Sequence, residues 1–280
     1  KQFGNNAYGK PATALNILRE TVMGRELFDY AFKTYCERWA LKHPTPADFF
    51  RTMEDASAVD LDWFWRGWFY STDHVDIAVT DVKWFELNTQ NPELEKAFLQ
   101  QKDAQKDVFI GDTRNKTAIT QTVNERDPQI DDFYAKRNIY AVDAIDRKDY
   151  QTFVSKTSAE DLAYLNAGKQ LYELTFENLG GLVMPLIIEA TFADGSTKVE
   201  RIPAEIWRVE ELKVSKVFVY DQPVVSFRLD PFLETADTDL DNNTWPRVML
   251  PTRYQLYKQE SKRENPMQRQ QRLEQMQGGN

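Results

Sequence analysis

The sequence contains few of the residues that carry redox or metal chemistry. Cys36 is its single cysteine, which excludes an internal disulfide framework. This cysteine lies on the apolar stripe of a predicted helix, so we expect a buried and inert thiol. The two histidines, His43 and His74, have no acid or second histidine at helical spacing. Because a hydrolytic zinc site needs three protein ligands and an open position for water, we expect neither histidine to bind a metal.

Several kinds of segment are absent as well. No apolar run approaches the roughly 20 residues that a membrane-spanning helix needs, so no membrane span is predicted. The sequence has no glycine-rich phosphate loop and no Gly-x-Ser-x-Gly elbow, so nucleotide chemistry and serine-hydrolase chemistry lack support. A net charge of −9 argues against nucleic acid as the main partner. The chain starts at Lys1 without a signal-like apolar run, and we expect its true N-terminus to lie upstream.

The chain does contain enough apolar sequence for a sizeable core. Its 280 residues are 41% hydrophobic and 13% aromatic, which is typical of globular proteins and allows roughly two domains. Pro11 suits a first helical turn, and Leu15, Leu18 and Val22 follow at steps of three and four residues. This spacing predicts a first helix that ends at Gly24.

Three more helices are predicted to complete a helical part over residues 1–73. An apolar stripe over residues 27–39 indicates the second helix. Thr45 and Asp48, with a proline between them, form a variant of the capping box and start the third. Asp60 is the predicted N-cap of the fourth, whose aromatic residues up to position 70 we expect to pack into the core rather than bind a sugar.

From residue 74 the hydrophobic period changes from helical to alternating. Val75, Ile77 and Val79 alternate with polar or small residues and predict a half-buried strand. Asp194 and Gly195 lie between two apolar runs, which is a strong hairpin signal. Further strands are predicted over residues 172–176, 184–192, 197–202, 206–209, 214–220 and 224–229. Together they predict an antiparallel β-sandwich over residues 74–252, and with the helices an α+β multidomain protein.

Two polar segments depart from this pattern. Residues 91–170 are charge-rich and predict an insertion in the sandwich, with short helices after Pro92 and after Ser158. Residues 253–280 lack an apolar stripe and predict a polar tail that is either flexible or a loosely held helix.

One acidic segment is superficially similar to a calcium-binding loop. Residues 237–243 read Asp-Thr-Asp-Leu-Asp-Asn-Asn. They lack the glycine at loop position 6 and the glutamate at position 12 of that motif. We therefore expect a solvated loop that closes the last strand, and we assign it no metal.

Two stretches near the start of the chain resemble a known family. Residues 6–11 read Asn-Ala-Tyr-Gly-Lys-Pro and open the first helix, and residues 53–61 read Met-Glu-Asp-Ala-Ser-Ala-Val-Asp-Leu. Together they resemble the C-terminal half of the catalytic domain of aminopeptidase N-like (gluzincin) zinc metallopeptidases. The resemblance covers about the first quarter of the chain. That family binds zinc through His-Glu-x-x-His and a distant Glu, and neither histidine of this chain stands in that pattern.

The resemblance implies a function for the parent protein and a role for one residue. Tyr8 matches the family's catalytic tyrosine, whose hydroxyl stabilises the oxyanion formed during peptide hydrolysis. Gly9 and Pro11 stand where the family commonly has Glu and Gly. The resemblance places the zinc ligands upstream of this chain, so the parent would cleave peptides with zinc, whereas the fragment alone would be inactive. A secreted or periplasmic location is the commoner case among bacterial relatives that end in a sandwich.

The resemblance also implies partners. The missing N-terminal half of the catalytic domain would cover apolar surface on the first helices, such as part of the row Leu15, Leu18 and Val22. Without that half, we expect exposed apolar surface and self-association. Arg66 is expected to pair with a nearby acid at the junction of helices and strands rather than to bind a substrate carboxylate.

Two other readings stay open. A peptidase-like fold that has lost its zinc motif could serve as a non-catalytic scaffold or protein-interaction module. Alternatively, the sandwich could bind carbohydrate through exposed aromatic residues such as Trp207 and Trp245.

Overall fold

A computed structural model describes residues 3–127, 129–130, 133–248 and 265–277. The chain divides into two compact units, Lys1–Arg247 and Val248–Asn280.

The first unit begins with helices that follow the predicted pattern. The α-helices of this part are α1 (Lys10–Ile17), α2 (Arg25–Trp39), α3 (Pro46–Ser57) and α4 (Asp62–Tyr70). Single π-helical turns, Asn5–Gly9 and Leu18–Val22, extend α1 at both ends. The helical path then ends at Gly24, whose φ of 80° suits glycine.

The ends of α3 and α4 show why these helices start and stop where they do. Asp48 accepts hydrogen bonds from the backbone N–H and the hydroxyl of Thr45, at 2.8 and 2.7 Å, which confirms the predicted capping box. Ala58 has a left-handed φ of 56° and ends α3. The predicted N-cap of α4 at Asp60 is wrong, because the N-cap is Leu61 and Glu54 accepts its backbone N–H at 3.0 Å.

In the described residues, the strands form two sheets with antiparallel neighbours. The strands are β1 (Ile77–Glu86), β2 (Gln170–Asn178), β3 (Leu186–Phe192), β4 (Thr197–Ile202), β5 (Lys213–Tyr220), β6 (Val224–Leu229) and β7 (Thr244–Trp245). One sheet has the order β1-β2-β5, and the other has the order β4-β3-β6-β7. The predicted hairpin between β3 and β4 is confirmed, with Gly195 at a φ of 82°.

One hydrophobic core joins the helices to both sheets. Phe64 and Trp68 of α4, Leu174 of β2 and Phe227 of β6 belong to the same cluster of buried side chains. Burial on this scale is the main force that holds such elements together. The arrangement of helices beside antiparallel sheets confirms the predicted α+β class.

A helical insertion, residues 87–169, separates β1 from β2. Its helices are α5 (Pro92–Ala104), α6 (Ile110–Ala118), α7 (Val123–Arg126), α8 (Phe133–Lys136), α9 (Ala144–Lys156) and α10 (Ala159–Leu165). The helices predicted after Pro92 and Ser158 are confirmed as α5 and α10. No side chain is buried in the part of the insertion that the structure describes.

Several burial and strand predictions are wrong, each because tertiary neighbours decide burial. The strand predicted at 206–209 lies in a 3₁₀-helix, Ala204–Arg208, in which the buried indole of Trp207 donates to the Met184 carbonyl at 2.9 Å. Cys36 is exposed, because α2 is covered on one side only. In the row that was expected to be exposed in part, Leu18 is fully buried, whereas Leu15 and Val22 are half-buried.

The second unit contains one described helix, α11 (Pro266–Gln277). The sequence left a flexible segment or a loosely held helix open for the tail, and a helix is present there, while residues 253–264 and 278–280 of that prediction lie outside the described residues. None of the described helices is both long enough and apolar enough to cross a membrane.

Candidate functional site

Tyr8 lies in the π-helical turn that leads into α1. Its side chain is 71% exposed, and its ring meets the edge of Phe3 at a centroid distance of 6.2 Å. The phenol is therefore accessible to a group that approaches from outside the described residues. An uncharged hydroxyl in this position can donate a hydrogen bond to an oxyanion.

Lys10 anchors the helix that carries Tyr8. Its ammonium group donates to the backbone carbonyls of Ser71 and Asp73 at 3.2 and 3.4 Å. These carbonyls follow the end of α4, where a cation also interacts favourably with the helix dipole. Lys10 thus ties the start of α1 to the end of α4, two residues away from Tyr8 along the chain.

A polar cavity of about 670 Å³ lies next to this anchor. Its walls come from α1, from the end of α4 and the residues after it, and from the chain before β7. The lining residues are Asn6, Lys10, Thr13, Trp68, Phe69, Ser71, Thr72, Asp73, His74, Ala236 and Thr238. Tyr8 does not line this cavity, so the structure does not bring the predicted catalytic residue and the cavity into one site.

The histidines lie apart from any cluster of metal ligands in the described residues. His43 is exposed in the connection between α2 and α3. His74 is also exposed, and its backbone pairs with the segment around Gly181. A zinc site needs nitrogen, sulfur or carboxylate ligands in a closed or nearly closed set. The described residues therefore do not fit the zinc that the resemblance implies.

An acidic group that the sequence analysis did not single out lies between α3 and α4. Carboxylate oxygens of Glu54, Asp60 and Asp62 lie within 4.8 Å of one another. Burial, followed by the nearby charges of Asp62 and Asp60, raises the pKa of Glu54. Because Glu54 also accepts the Leu61 N–H, the group has a structural explanation as a cap for α4. A left-handed residue, Ala58, turns the chain so that these acids meet.

Three residues that the sequence suggested for ligand binding contact other residues of the fold instead. Arg66 pairs with Glu211 at 3.6 Å, as predicted, in an exposed ion pair. Trp207 is 1% exposed and cannot offer a ring to a sugar, which removes one of the two aromatics on which the carbohydrate reading depends. Trp245 is half-buried and packs near Phe227.

Comparison with known proteins adds no family assignment, since neither a protein-family model nor a curated protein matches this chain.

Proposed function

We propose that this chain is the C-terminal portion of a zinc-dependent, aminopeptidase N-like metallopeptidase, with Tyr8 as its catalytic residue. In the parent protein, the Tyr8 hydroxyl would donate a hydrogen bond to the oxyanion that forms when the peptide carbonyl is attacked. The proposal depends on one observation above all. Tyr8 is exposed on a helical turn whose continuation is anchored by Lys10, in the residue pattern of the family.

The anchoring matters because a transition-state donor must be positioned before the charge develops. A single preorganised donor of this kind contributes about 3 to 4 kcal/mol to transition-state stabilisation. Lys10 restrains the backbone next to Tyr8, while the phenol stays free to meet a group from another segment. This arrangement supports a role in a site that is completed by other parts of the parent.

We propose that the zinc ligands belong to the part of the parent that precedes Lys1, as the resemblance to the family implies. The fragment by itself is then expected to be inactive. The exposed apolar residues of α2 and of the turn after it, Tyr30, Phe32 and Leu41, support a further covering segment. We assign that cover to the missing half of the catalytic domain, and self-association to the chain when this half is absent.

The two sheets are proposed to form a β-sandwich that braces the catalytic helices. Aromatic rings from the two sheets meet directly, with Tyr172 of β2 at 5.3 Å from Phe227 of β6. On the helical side, α4 approaches the chain before β3 so closely that a Cβ on Gly67 would lie 3.2 Å from Leu182. Such tight packing is hard to compress, which suits a support for a catalytic domain.

The test is expression of the complete parent reading frame, with measurement of zinc content and of the hydrolysis of aminoacyl-amide substrates. We expect stoichiometric zinc, and a loss of about 100- to 1,000-fold in kcat for Tyr8→Phe with substrate binding retained. Tyr70→Phe is the matched control, because Tyr70 lies at the end of α4 and is exposed to nearly the same extent as Tyr8. Equal activities of the Tyr8→Phe and Tyr70→Phe proteins would contradict the catalytic role.

A non-catalytic scaffold is the alternative function, and one observation favours it. The insertion exposes several large apolar side chains, among them Phe109, Phe133 and Ile145, which are suited to contact another protein. A parent protein that binds no zinc and cleaves no aminoacyl amide would support this alternative.

A further inference from the structure

The polar cavity beside Lys10 has no part in the proposed role of Tyr8, which does not line it. Its volume of about 670 Å³ falls within the roughly 300 to 1,000 Å³ of typical small-molecule sites. Trp68 and Phe69 give it an aromatic wall, and most of its other lining side chains are polar. Sites for small molecules commonly combine apolar walls with a few polar groups, so this cavity has the composition of a ligand site.

Hydrogen-bond donors are plentiful among the polar side chains of the cavity. The Lys10 ammonium uses two of its three N–H groups on the carbonyls of Ser71 and Asp73, so one N–H is left for another acceptor. Each of four further lining side chains can donate at least one hydrogen bond. Within the described residues these four form no side-chain hydrogen bond: Asn6, Thr13, Thr72 and His74. The cavity therefore favours a ligand that accepts hydrogen bonds.

The indole N–H of Trp68 is a further donor in the wall of the cavity. Trp68 is 7% exposed, and its Nε1 is buried without a hydrogen-bond partner in the part of the chain that the structure describes. Buried polar groups are nearly always paired in folded proteins, so we expect an acceptor for this N–H. Because Trp68 lines the cavity, a group bound there is placed to supply that acceptor.

The charges around the cavity favour an anion. Lys10 has no ion pair with a carboxylate among the described residues. Asp73 is the one acid in the lining, and a Cβ on Gly181 would lie 3.0 Å from its Cγ. The Asp73 carboxylate thus lies against Gly181, which is not part of the lining. A negative group in the cavity would compensate the Lys10 charge.

We propose that this cavity binds a carboxylate that is attached to a small apolar group. The two oxygens of a carboxylate can accept hydrogen bonds from Lys10, from the Trp68 indole and from nearby hydroxyls at the same time. Its single charge matches the single ammonium. Phosphate groups are commonly held by the forked donors of arginine, and no arginine lines this cavity. Trp68 and Phe69 would contact the apolar part of the ligand.

A carboxylate of this kind can be the C-terminus of a peptide or a free organic acid. The test follows the indole signals of the complete 280-residue chain by ¹H–¹⁵N NMR, since each of its seven tryptophans gives one signal. Trp68→Phe identifies the Trp68 signal. The probes are N-acetyl-Gly-Leu and 3-phenylpropionate, and the matched control is N-acetyl-Gly-Leu amide, in which an uncharged amide replaces the carboxylate.

We expect the Trp68 signal to shift with at least one carboxylate, and the amide to bind at least about tenfold more weakly. Binding of the peptide acid alone would identify the ligand as a peptide C-terminus, whereas binding of 3-phenylpropionate would extend it to free organic acids. The proposal would be overturned if neither carboxylate moved the Trp68 signal, or if the acid and the amide moved it equally.

A pair of tryptophan variants separates binding from general loosening of the helix. Trp68→Phe removes the N–H but keeps an aromatic ring, and should weaken binding of the carboxylate several-fold in calorimetry. Trp65→Phe is the matched control, because Trp65 is also buried on α4 with an unpartnered indole nitrogen but does not line this cavity. It should bind as the wild type does. Equal weakening in both variants would contradict a direct contact with Trp68.

The charged donor is tested in the same assay. Lys10→Met should weaken binding at least about tenfold, since it removes the positive charge. Because Lys10 also ties α1 to α4, Thr72→Val is the second variant. Thr72 is exposed and its hydroxyl is unpaired in the described residues, so this change should weaken binding about two- to fivefold without altering the melting temperature. Wild-type affinity in both variants would overturn the proposal. None of these measurements uses zinc or peptidase activity, so they stand independently of the proposed function.

Discussion

The insertion and the rest of the first unit have similar local structure but differ in the contacts that stabilise them. Both contain capped helices: Asp143 accepts the N–H groups of Ile145 and Asp146 at the start of α9, much as Thr45 and Asp48 cap α3. The helices α1 to α4 bury side chains in the shared core, whereas the insertion buries none among its described residues. Capping therefore sets where helices begin in both regions, and burial distinguishes them.

The insertion relies on polar contacts between its own helices. Lys96 of α5 pairs with Asp146 of α9, and Arg147 of α9 pairs with Glu93 at 3.0 Å. Surface ion pairs of this kind contribute only about 0 to 1 kcal/mol each. A region held in this way should open locally without unfolding the core. The following predictions test this difference.

The largest effect is expected from truncating a buried aromatic residue. Phe64 of α4 is fully buried, and Phe64→Ala should lower the free energy of unfolding by about 3 to 5 kcal/mol. Phe109→Ala in the insertion, where the ring is 70% exposed, should change it by less than about 0.5 kcal/mol. Urea unfolding of both variants measures the difference. A large cost for Phe109→Ala would mean that the insertion is packed and would remove the contrast.

A smaller effect, with a defined pH dependence, is expected at the start of α3. The backbone and then the side-chain hydrogen bond from Thr45 lower the pKa of Asp48. A lowered pKa in the folded state gives stability above the unfolded value, about 3.9, and this stability is lost as the pH falls through the folded value. Asp48→Asn should therefore lower the melting temperature at neutral pH, and the gap from the wild type should close in acid.

The matched substitution in the insertion is Asp146→Asn. Hydrogen bonds from Asp143 and then Lys96 lower the pKa of Asp146. Because the insertion is not part of the core, this variant should reduce helicity by circular dichroism while the global melting temperature stays the same. Equal shifts in melting temperature for the Asp48 and Asp146 variants would show that both regions unfold together.

The smallest effect on stability is expected from removing the insertion altogether. Glu86 and Gln170 are directly paired across β1 and β2, so a short Asn-Gly turn can join them in place of residues 87–169. Each halving of the length of the connection lowers the entropic free-energy cost of closing it by about 0.6 kcal/mol. The melting temperature should stay the same or rise. A marked fall, measured by thermal unfolding, would show that the insertion supports the sheets.

The candidate sites differ in how far the sequence could predict them. Tyr8 was found from its motif, and the structure leaves its side chain exposed. The loop at residues 237–243 was predicted to be solvated because the calcium motif that it resembles is incomplete, and residues 238–241 are exposed. Asn242 at its end is buried and donates to Asp76, which is more than a hundred residues away in sequence and becomes a neighbour only after folding. The acids at Glu54 and Asp60 were likewise brought together by the turn at Ala58.

The sequence by itself determined the local elements of this protein. The capping residues at Thr45 and Asp48, the glycine at position 24 and the Asp-Gly turn before β4 act over a few residues, so they can be recognised without knowing the fold. Only the tertiary structure decided burial. It exposed Cys36 on the open side of α2, enclosed Trp207, and placed two asparagines beside two acids, because burial depends on which distant segments pack together.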